Sequence, residues 1–339
     1  MIQSIEFKNF KALRQATLPL NQFTLIVGPN GSGKSTAMQA LEMVRSPGPL
    51  QSRFVTAGMR EAPSIEINLN WHLDNSRVVL NTRWKRHGNT FPFEQRYQLD
   101  SGESPPVEVI NDLTRRLASF RIFSFDANFI AATVTLQPDS ELGPNGSNLA
   151  VVLDNLRDRK PERFEMLNEE LGRWFPEFDR ILFETPAPGQ RAFLLRTRGG
   201  QHGIRAIDLS SGTLFALTFL TLAYLPSNPS ILCFEEPDRG IHPRLLREIR
   251  DGMYRLAYPD SYHEQRNPVQ VIATTHSPYL VDLYRDHPEE IVLAHKHGQE
   301  VRFERLSERP DVNELLQDAP LGEIWFSGIL GGVPSNPLS

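Results

Sequence analysis

Gly28-Pro29-Asn30-Gly31-Ser32-Gly33-Lys34-Ser35 has the spacing G-x-x-x-x-G-K-S/T, and Thr36 follows. Residues of these types at this spacing suit one task, holding a polyphosphate. Glycines let the backbone turn so that successive N–H groups point inward at phosphate oxygens. A helix starting at the end of the loop adds the positive end of its dipole. Lys34 is then expected to reach the β- and γ-phosphates, and Ser35 to give Mg²⁺ an oxygen. The expected ligand is Mg·ATP, held by Gly28, Asn30, Gly31, Ser32, Gly33, Lys34, Ser35 and Thr36.

Two further places could complete a phosphoryl-transfer site. Ile231-Leu232-Cys233-Phe234 is an apolar run that ends in the paired acids Glu235 and Glu236. Such an enzyme needs one acid for the metal shell and one to polarise the attacking water. Glu235 is assigned to the metal and Glu236 to the water. Val271-Ile272-Ala273-Thr274-Thr275 is another apolar run, ending in His276. If this strand lies beside the acidic one, His276 can sense the γ-phosphate and orient the water. Asp208-Leu209-Ser210-Ser211-Gly212-Thr213 precedes a third apolar stretch, Leu214–Leu225. Read alone, it is a helix cap. Gly143-Pro144-Asn145-Gly146-Ser147-Asn148 copies the start of the phosphate loop, but Asn148 and Leu149 replace the glycine and lysine. It reads as a turn opening a helix.

The elements that must carry these residues follow from periodicity. Phe23–Val27 reads as a buried strand and Ser35–Val44 as the helix after the loop, the strand–loop–helix context that the motif requires. Ser64–Trp71, Val78–Trp84 and Phe93–Leu99 alternate as an antiparallel meander. Helices are expected at Asn148–Leu156, Glu162–Phe175, Thr213–Tyr224 and Arg244–Leu256. Strands are expected at Ser230–Phe234 and Gln270–Thr274, with hairpins at Ile181–Thr197 and Ile291–Arg305. Strands alternating with helices imply an α/β fold with a mostly parallel sheet flanked by helices. The tail ends on an apolar helix, Glu323–Leu330. His295-Lys296-His297 is expected in a solvated hairpin turn.

Taken together, these motifs resemble the ABC-class AAA family ATPases of the OLD, RecF and SMC branch. The resemblance rests on Phe7-Lys8-Asn9-Phe10-Lys11, the phosphate loop, Leu209–Thr213, Phe234-Glu235-Glu236-Pro237 with Gly240-Ile241-His242-Pro243, and Thr274-Thr275-His276-Ser277-Pro278. Asn145–Leu149 and Leu321-Gly322-Glu323-Ile324-Trp325 through Gly331-Gly332 also resemble stand-alone members. The resemblance implies a P-loop NTPase head of ABC-ATPase type with an antiparallel β insertion and a helical lobe. Residues 1–125 would carry the phosphate loop and meander, 126–205 the helical lobe, 206–305 the signature, acids and histidine, and 306–339 a tail. It also implies an ATP-dependent homodimer in which Ser210, Ser211 and Gly212 meet the γ-phosphate held by the other subunit. A C-terminal Toprim domain and a long coiled-coil arm, carried by some members, are not expected in this chain.

Bulk properties narrow the partners. The chain has 339 residues, 40% apolar and 23% charged, with net charge −5. That balance argues against a surface coated for bulk nucleic-acid binding but permits a local basic patch. Arg83-Trp84-Lys85-Arg86-His87 is the candidate patch, with Trp84 as a stacking aromatic. Cys233 is the only cysteine, so no intrachain disulfide can form. No signal-like run opens the chain, and Leu214–Leu225 is too short to span a bilayer, so a cytoplasmic protein without membrane attachment is expected. The expected role is an ATP-gated switch acting on DNA or on a separately encoded nuclease or effector. The alternatives are the nucleotide-binding subunit of an ABC transporter and the ATPase part of an OLD-type nuclease system.

Overall fold

The structure is a computed structural model, described here for residues 1–56, 64–73, 76–88, 90–138, 140–200, 202–298 and 300–331. Gly332 of the tail motif, with the rest of 332–339, lies outside the described residues. In chain order the main elements are β1 (Ile2–Phe10), β2 (Leu13–Pro19), β3 (Phe23–Val27), α1 (Lys34–Arg45), β4 (Ser64–Leu73), β5 (Ser76–Lys85), β6 (Phe93–Leu99) and α2 (Val107–Ala118). There follow α3 (Leu149–Arg159), α4 (Pro161–Trp174), β7 (Phe178–Glu184), β8 (Gln190–Thr197), α5 (Ser211–Tyr224), β9 (Ile231–Glu235) and α6 (Leu246–Ala257). The last are β10 (Gln270–Thr275), α7 (Pro278–Asp282), β11 (Ile291–His297), β12 (Glu300–Arg305), α8 (Val312–Asp318) and α9 (Leu321–Phe326).

The chain forms two compact units. The first comprises Met1–Phe120, Ser230–Cys233 and Gln270–Ser339; the second comprises Arg121–Pro229 and Phe234–Val269. In the first unit, strands run in the order β12-β11-β3-β10-β9. β3 is parallel to both β10 and β11, and β12 is antiparallel to β11. Every residue of β3 and β10 is buried, as sheets covered on both faces demand. The expectation of a mixed α/β fold holds, with parallel pairing where the phosphate loop leaves the sheet.

A second sheet in the same unit is wholly antiparallel, in the order β2-β1-β4-β5-β6. The meander is therefore not a free insertion, because β1 and β2 extend it to five strands. One face is apolar, with Ile5, Ile67, Leu69, Leu80 and Trp84 almost wholly buried. The other is polar, with Glu6, Asn68, Asn81 and Arg96 in successive register. In the second unit, α3 and α4 pack against the β7–β8 hairpin, and Asn168 of α4 accepts from the backbone N–H of Ile181 at 2.8 Å. Asp154 of α3, nearly buried, is paired with Arg191 at 3.0 Å and with Arg157 at 2.7 Å.

Three boundaries differ from expectation. The segment Arg244–Leu256 opens with a 3-10 turn at Pro243–Leu245, and the α-helix begins only at Leu246. His295-Lys296-His297 lies within β11 rather than in a turn, because β11 continues past its pairing with β3 along β12. The tail helix covers Leu321–Phe326, with Leu321, Ile324 and Trp325 buried and Phe326 exposed.

Candidate functional site

β3 ends at Val27 and the loop Gly28–Gly33 carries the chain into α1. The local sequence dictates the turn. Gly31 and Gly33 have φ of 76° and 90°, values that a side chain resists. Gly28 is required for a different reason: a Cβ there would lie 2.5 Å from Ser32 Oγ and 2.8 Å from the carbonyl oxygen of Ala294. Lys34 is buried, and its ammonium donates to the carbonyls of Gly28 at 2.6 Å and Pro29 at 3.0 Å, so it arches over the loop. Ser35 is exposed and Thr36 partly so in the first helical turn, where backbone N–H groups have no acceptor within the helix. Ser32 Oγ is buried without a hydrogen-bond partner. A glycine-made concavity, an arched lysine and a helix N-terminus bearing two hydroxyls fit a magnesium-bound triphosphate.

His276 follows β10, the strand next to β3, and the two are tied where they end: Gly28 N–H donates to the carbonyl of Thr275 at 3.4 Å. The His276 side chain is exposed, while Thr274 and Thr275 before it are buried. The structure thus brings the phosphate loop and His276 to one edge of one sheet within the first unit. Parallel strands deliver their C-terminal ends to a common edge, where α/β folds bind ligands.

The sequence alone did not place three cations, of which one lies against this loop. Lys11 has φ of 49° and donates to Gln39 of α1. Its ammonium lies 5.2 Å from the centre of the Phe54 ring, as does the Arg53 guanidinium. Partial burial, and then the Arg53 charge, hold the Lys11 pKa below the usual lysine value. The third is Lys296 on β11, whose Nζ is 3.7 Å from where a methyl on Gly31 would sit. In the sequence, Lys11 stood in the N-terminal motif and Lys296 in a triplet read as a solvated turn, while Arg53 carried no signal. The places of Arg53 and Lys296 depend on chain segments that meet only after folding.

The acids and the signature belong to the second unit. Glu235 ends β9, and Glu236 has φ of 47°, a left-handed conformation rare for a side-chain-bearing residue. Such backbone costs about 1–3 kcal/mol and persists where surrounding structure enforces it, often at functional sites. Here the enforcement is visible. Arg239 N–H closes a turn onto the Glu236 carbonyl at 3.0 Å, and the Arg239 guanidinium donates to the carbonyl of Phe125 at 3.2 Å. Phe125, Phe219 and Phe234 form an aromatic cluster behind the acids, with centroids 4.9–5.2 Å apart for two of its pairs.

Ser210 caps α5, its Oγ accepting from the Thr213 N–H at 3.1 Å. Ser210 and Ser211 are exposed at that helix end. Gly212 is pinned to the loop after the acids, since a Cβ on it would meet the carbonyl oxygen of Gly240 at 2.7 Å. The Ser–Gly motif is thus both a cap and a close backbone contact to the acidic segment. The loop Gly143–Asn148 is tied to itself: Asn148 Oδ1 accepts from the Gly143 N–H at 2.7 Å, so Asn148 closes a turn rather than capping α3.

The basic patch does not survive folding as a patch. Trp84 is fully buried and its indole donates to the Gly48 carbonyl at 2.9 Å, so it is not a stacking platform. Alternation along β5 turns it inward while Arg83 and Lys85 face out. Arg83 is paired with Glu66 at 2.7 Å and Lys85 with Glu94 at 3.1 Å. Among the described residues no group of three or more metal-ligating side chains stands together, and no helix is long and apolar enough to cross a membrane.

Comparison with known proteins bears on the family and the fold. Residues 23–282 match the family described as AAA domain, putative AbiEii toxin, Type IV TA system. A stretch of 44 residues is 46% identical to an OLD nuclease of Thermus scotoductus, taking in 13% of this chain and 8% of that protein. An SMC head solved in complex with the C-terminal winged-helix domain of ScpA superposes with a TM-score of 0.58 at 19% identity, over 89% of this chain and 96% of that one. The SMC head domain of Thermotoga maritima gives 0.51 at 18% identity, over 90% and 98%. These likenesses identify the fold as that of an ABC-type ATPase head. With the phosphate loop inside the matched span, which takes in most of the chain, the chain belongs to this family of AAA domains.

Proposed function

We propose that the protein binds Mg·ATP on the loop Gly28–Thr36 and hydrolyses it at the interface of a head-to-head homodimer. The observation that carries this reading is the Lys34 ammonium arched over a glycine-built loop, on the same sheet edge as His276. In this reading Lys34 neutralises charge on the β- and γ-phosphates, and Ser35 and Glu235 hold the magnesium shell. The ion supplies charge neutralisation on the transferring phosphoryl group. Glu236 orients the attacking water and accepts its proton, and His276 holds that water and the γ-phosphate in register. Ser210, Ser211 and Gly212 act on the nucleotide of the other subunit, where the start of α5 adds N–H donors to the developing charge. Lys296, beside Gly31, extends the positive field at the loop.

ATP then holds two copies together and hydrolysis releases them, an order of events suited to a switch in the cytoplasm. The switch acts on an effector, for which a separately encoded nuclease is the best-supported class given the stretch shared with an OLD nuclease. DNA is the second class. The paired state of Arg83 and Lys85 gives no support to contact through that strand.

The test is a solution mass measurement of wild type and Glu236→Gln with and without Mg·ATP. The variant is expected to bind ATP, lose turnover and accumulate as a dimer. A persistent monomer under saturating ATP would remove the dimeric site.

A further inference from the structure

The C-terminal helix is built onto the segment that carries His276. Trp325 of α9 is 6% exposed, and its indole N–H donates to the backbone carbonyl of His276 at 3.4 Å. A second contact fixes the helix against α7, immediately after the histidine. A Cβ on Gly322 would lie 2.3 Å from the Pro278 carbonyl oxygen, so the two backbones touch and only glycine fits. The Gly322 N–H donates to Asp282 Oδ1 at 2.9 Å, closing the contact at the other end of α7. Beyond α9 the tail returns to the sheet: Gly331, with φ of 75°, lies against the His295 ring, where a Cβ would be 2.5 Å from Nδ1. Residues 321–331 therefore touch the chain at the ends of both strands that flank β3.

The bond to a carbonyl, rather than to the imidazole, has a specific mechanical meaning. β10 is buried throughout up to Thr275, and the Ser277 N–H is already held by Thr275 Oγ1 at 2.9 Å. Cβ and the carbonyl carbon of His276 turn together about its N–Cα bond, so a grip on the carbonyl oxygen restrains that rotation and with it the direction in which the exposed imidazole leaves the backbone. We infer that Trp325 is a positioning residue for His276, and that the C-terminal helix is a working part of the hydrolytic site rather than an appended tail. This inference rests on the role given to His276 above.

The test is a double-mutant cycle on the full chain, read as steady-state ATP turnover. Trp325→Phe keeps an aromatic ring in this buried position, though a smaller one, and removes the donor. It should lower kcat by about three- to tenfold, the share of one neutral hydrogen bond, with the KM for ATP within about twofold. In a His276→Ala background the same change should have no further effect, because the group it positions is gone. An equal loss in both backgrounds, an effect on KM alone, or unchanged kcat in Trp325→Phe overturns the proposal. Unaltered turnover in the single variant His276→Ala instead removes the histidine's role, and this proposal with it. If Trp325→Phe is insoluble, Gly322→Ala, which wedges a methyl against the Pro278 carbonyl, enters the same cycle with the same expected outcomes.

Discussion

At the scale of single residues, the chemistry asked of this chain is carried by groups whose surroundings prepare them unequally. Lys34 is buried and aimed by two carbonyls of its own loop. Its replacement by alanine should abolish nucleotide binding, measured with a fluorescent ATP analogue, and reduce turnover to background. Glu236 is different, because its side chain should matter for the chemical step and not for affinity. Glu236→Gln is expected to lower kcat by about 10²–10⁴-fold, the usual worth of a general base, with ATP affinity retained. Its left-handed backbone adds a stability consequence. Glu236→Gly relieves the local strain and should raise the melting temperature while abolishing turnover, in a thermal unfolding scan run without nucleotide. Lys296 was misplaced by sequence reasoning because a strand end and a hairpin turn look alike in a His-Lys-His triplet. Its approach to Gly31 comes from β11 pairing with β3, a contact between residues far apart in the chain.

At the scale of elements, close backbone approaches do what side chains could not. Gly212 at the start of α5 has the Gly240 carbonyl against it, so Gly212→Ala must displace either the helix end or the loop after the acids. Overpacking of this kind costs about 1–3 kcal/mol. The expected result is a lower melting temperature and lower turnover, with nucleotide affinity preserved because Lys34's loop is untouched. Periodicity made the helices and the buried strands β3, β9 and β10 legible, since uninterrupted apolar runs bounded by glycine, acid or histidine have few other readings. It could not say that β1 and β2 would join the meander, because pairing partners are chosen by tertiary burial. The same blindness made Arg83–His87 look like a phosphate-binding strip. On a strand, neighbours face opposite ways, and Trp84 went to the core. Arg83→Ala breaks a half-exposed ion pair with Glu66 and should cost less than about 1 kcal/mol in chemical denaturation.

At the scale of the whole molecule, the proposal requires that no copy work alone. Mixing Lys34→Ala protein with Gly212→Asp protein tests this directly. Each is expected to be inactive by itself. In a mixed dimer the intact signature of the first copy faces the intact phosphate loop of the second, so turnover should reappear on mixing. Continued silence, with mixed dimers demonstrated by mass, would place the signature outside the reaction.

What the sequence determined by itself was the candidate phosphate loop and the class of fold. A phosphate loop is a local object, its glycines, lysine and hydroxyls contiguous from Gly28 to Thr36, and short-range backbone geometry is enough to define it. The acid pair and His276 were legible because each ends an apolar run that could only be a buried strand. Tertiary structure alone decided which surfaces are available and which residues support the site. Trp84 became core, Arg83 and Lys85 found carboxylate partners, and Lys296 came to the phosphate loop. Trp325 came to the carbonyl of a histidine 49 positions away. Contacts at that separation are set by how sheets and helices bury their apolar faces, and no local pattern records them.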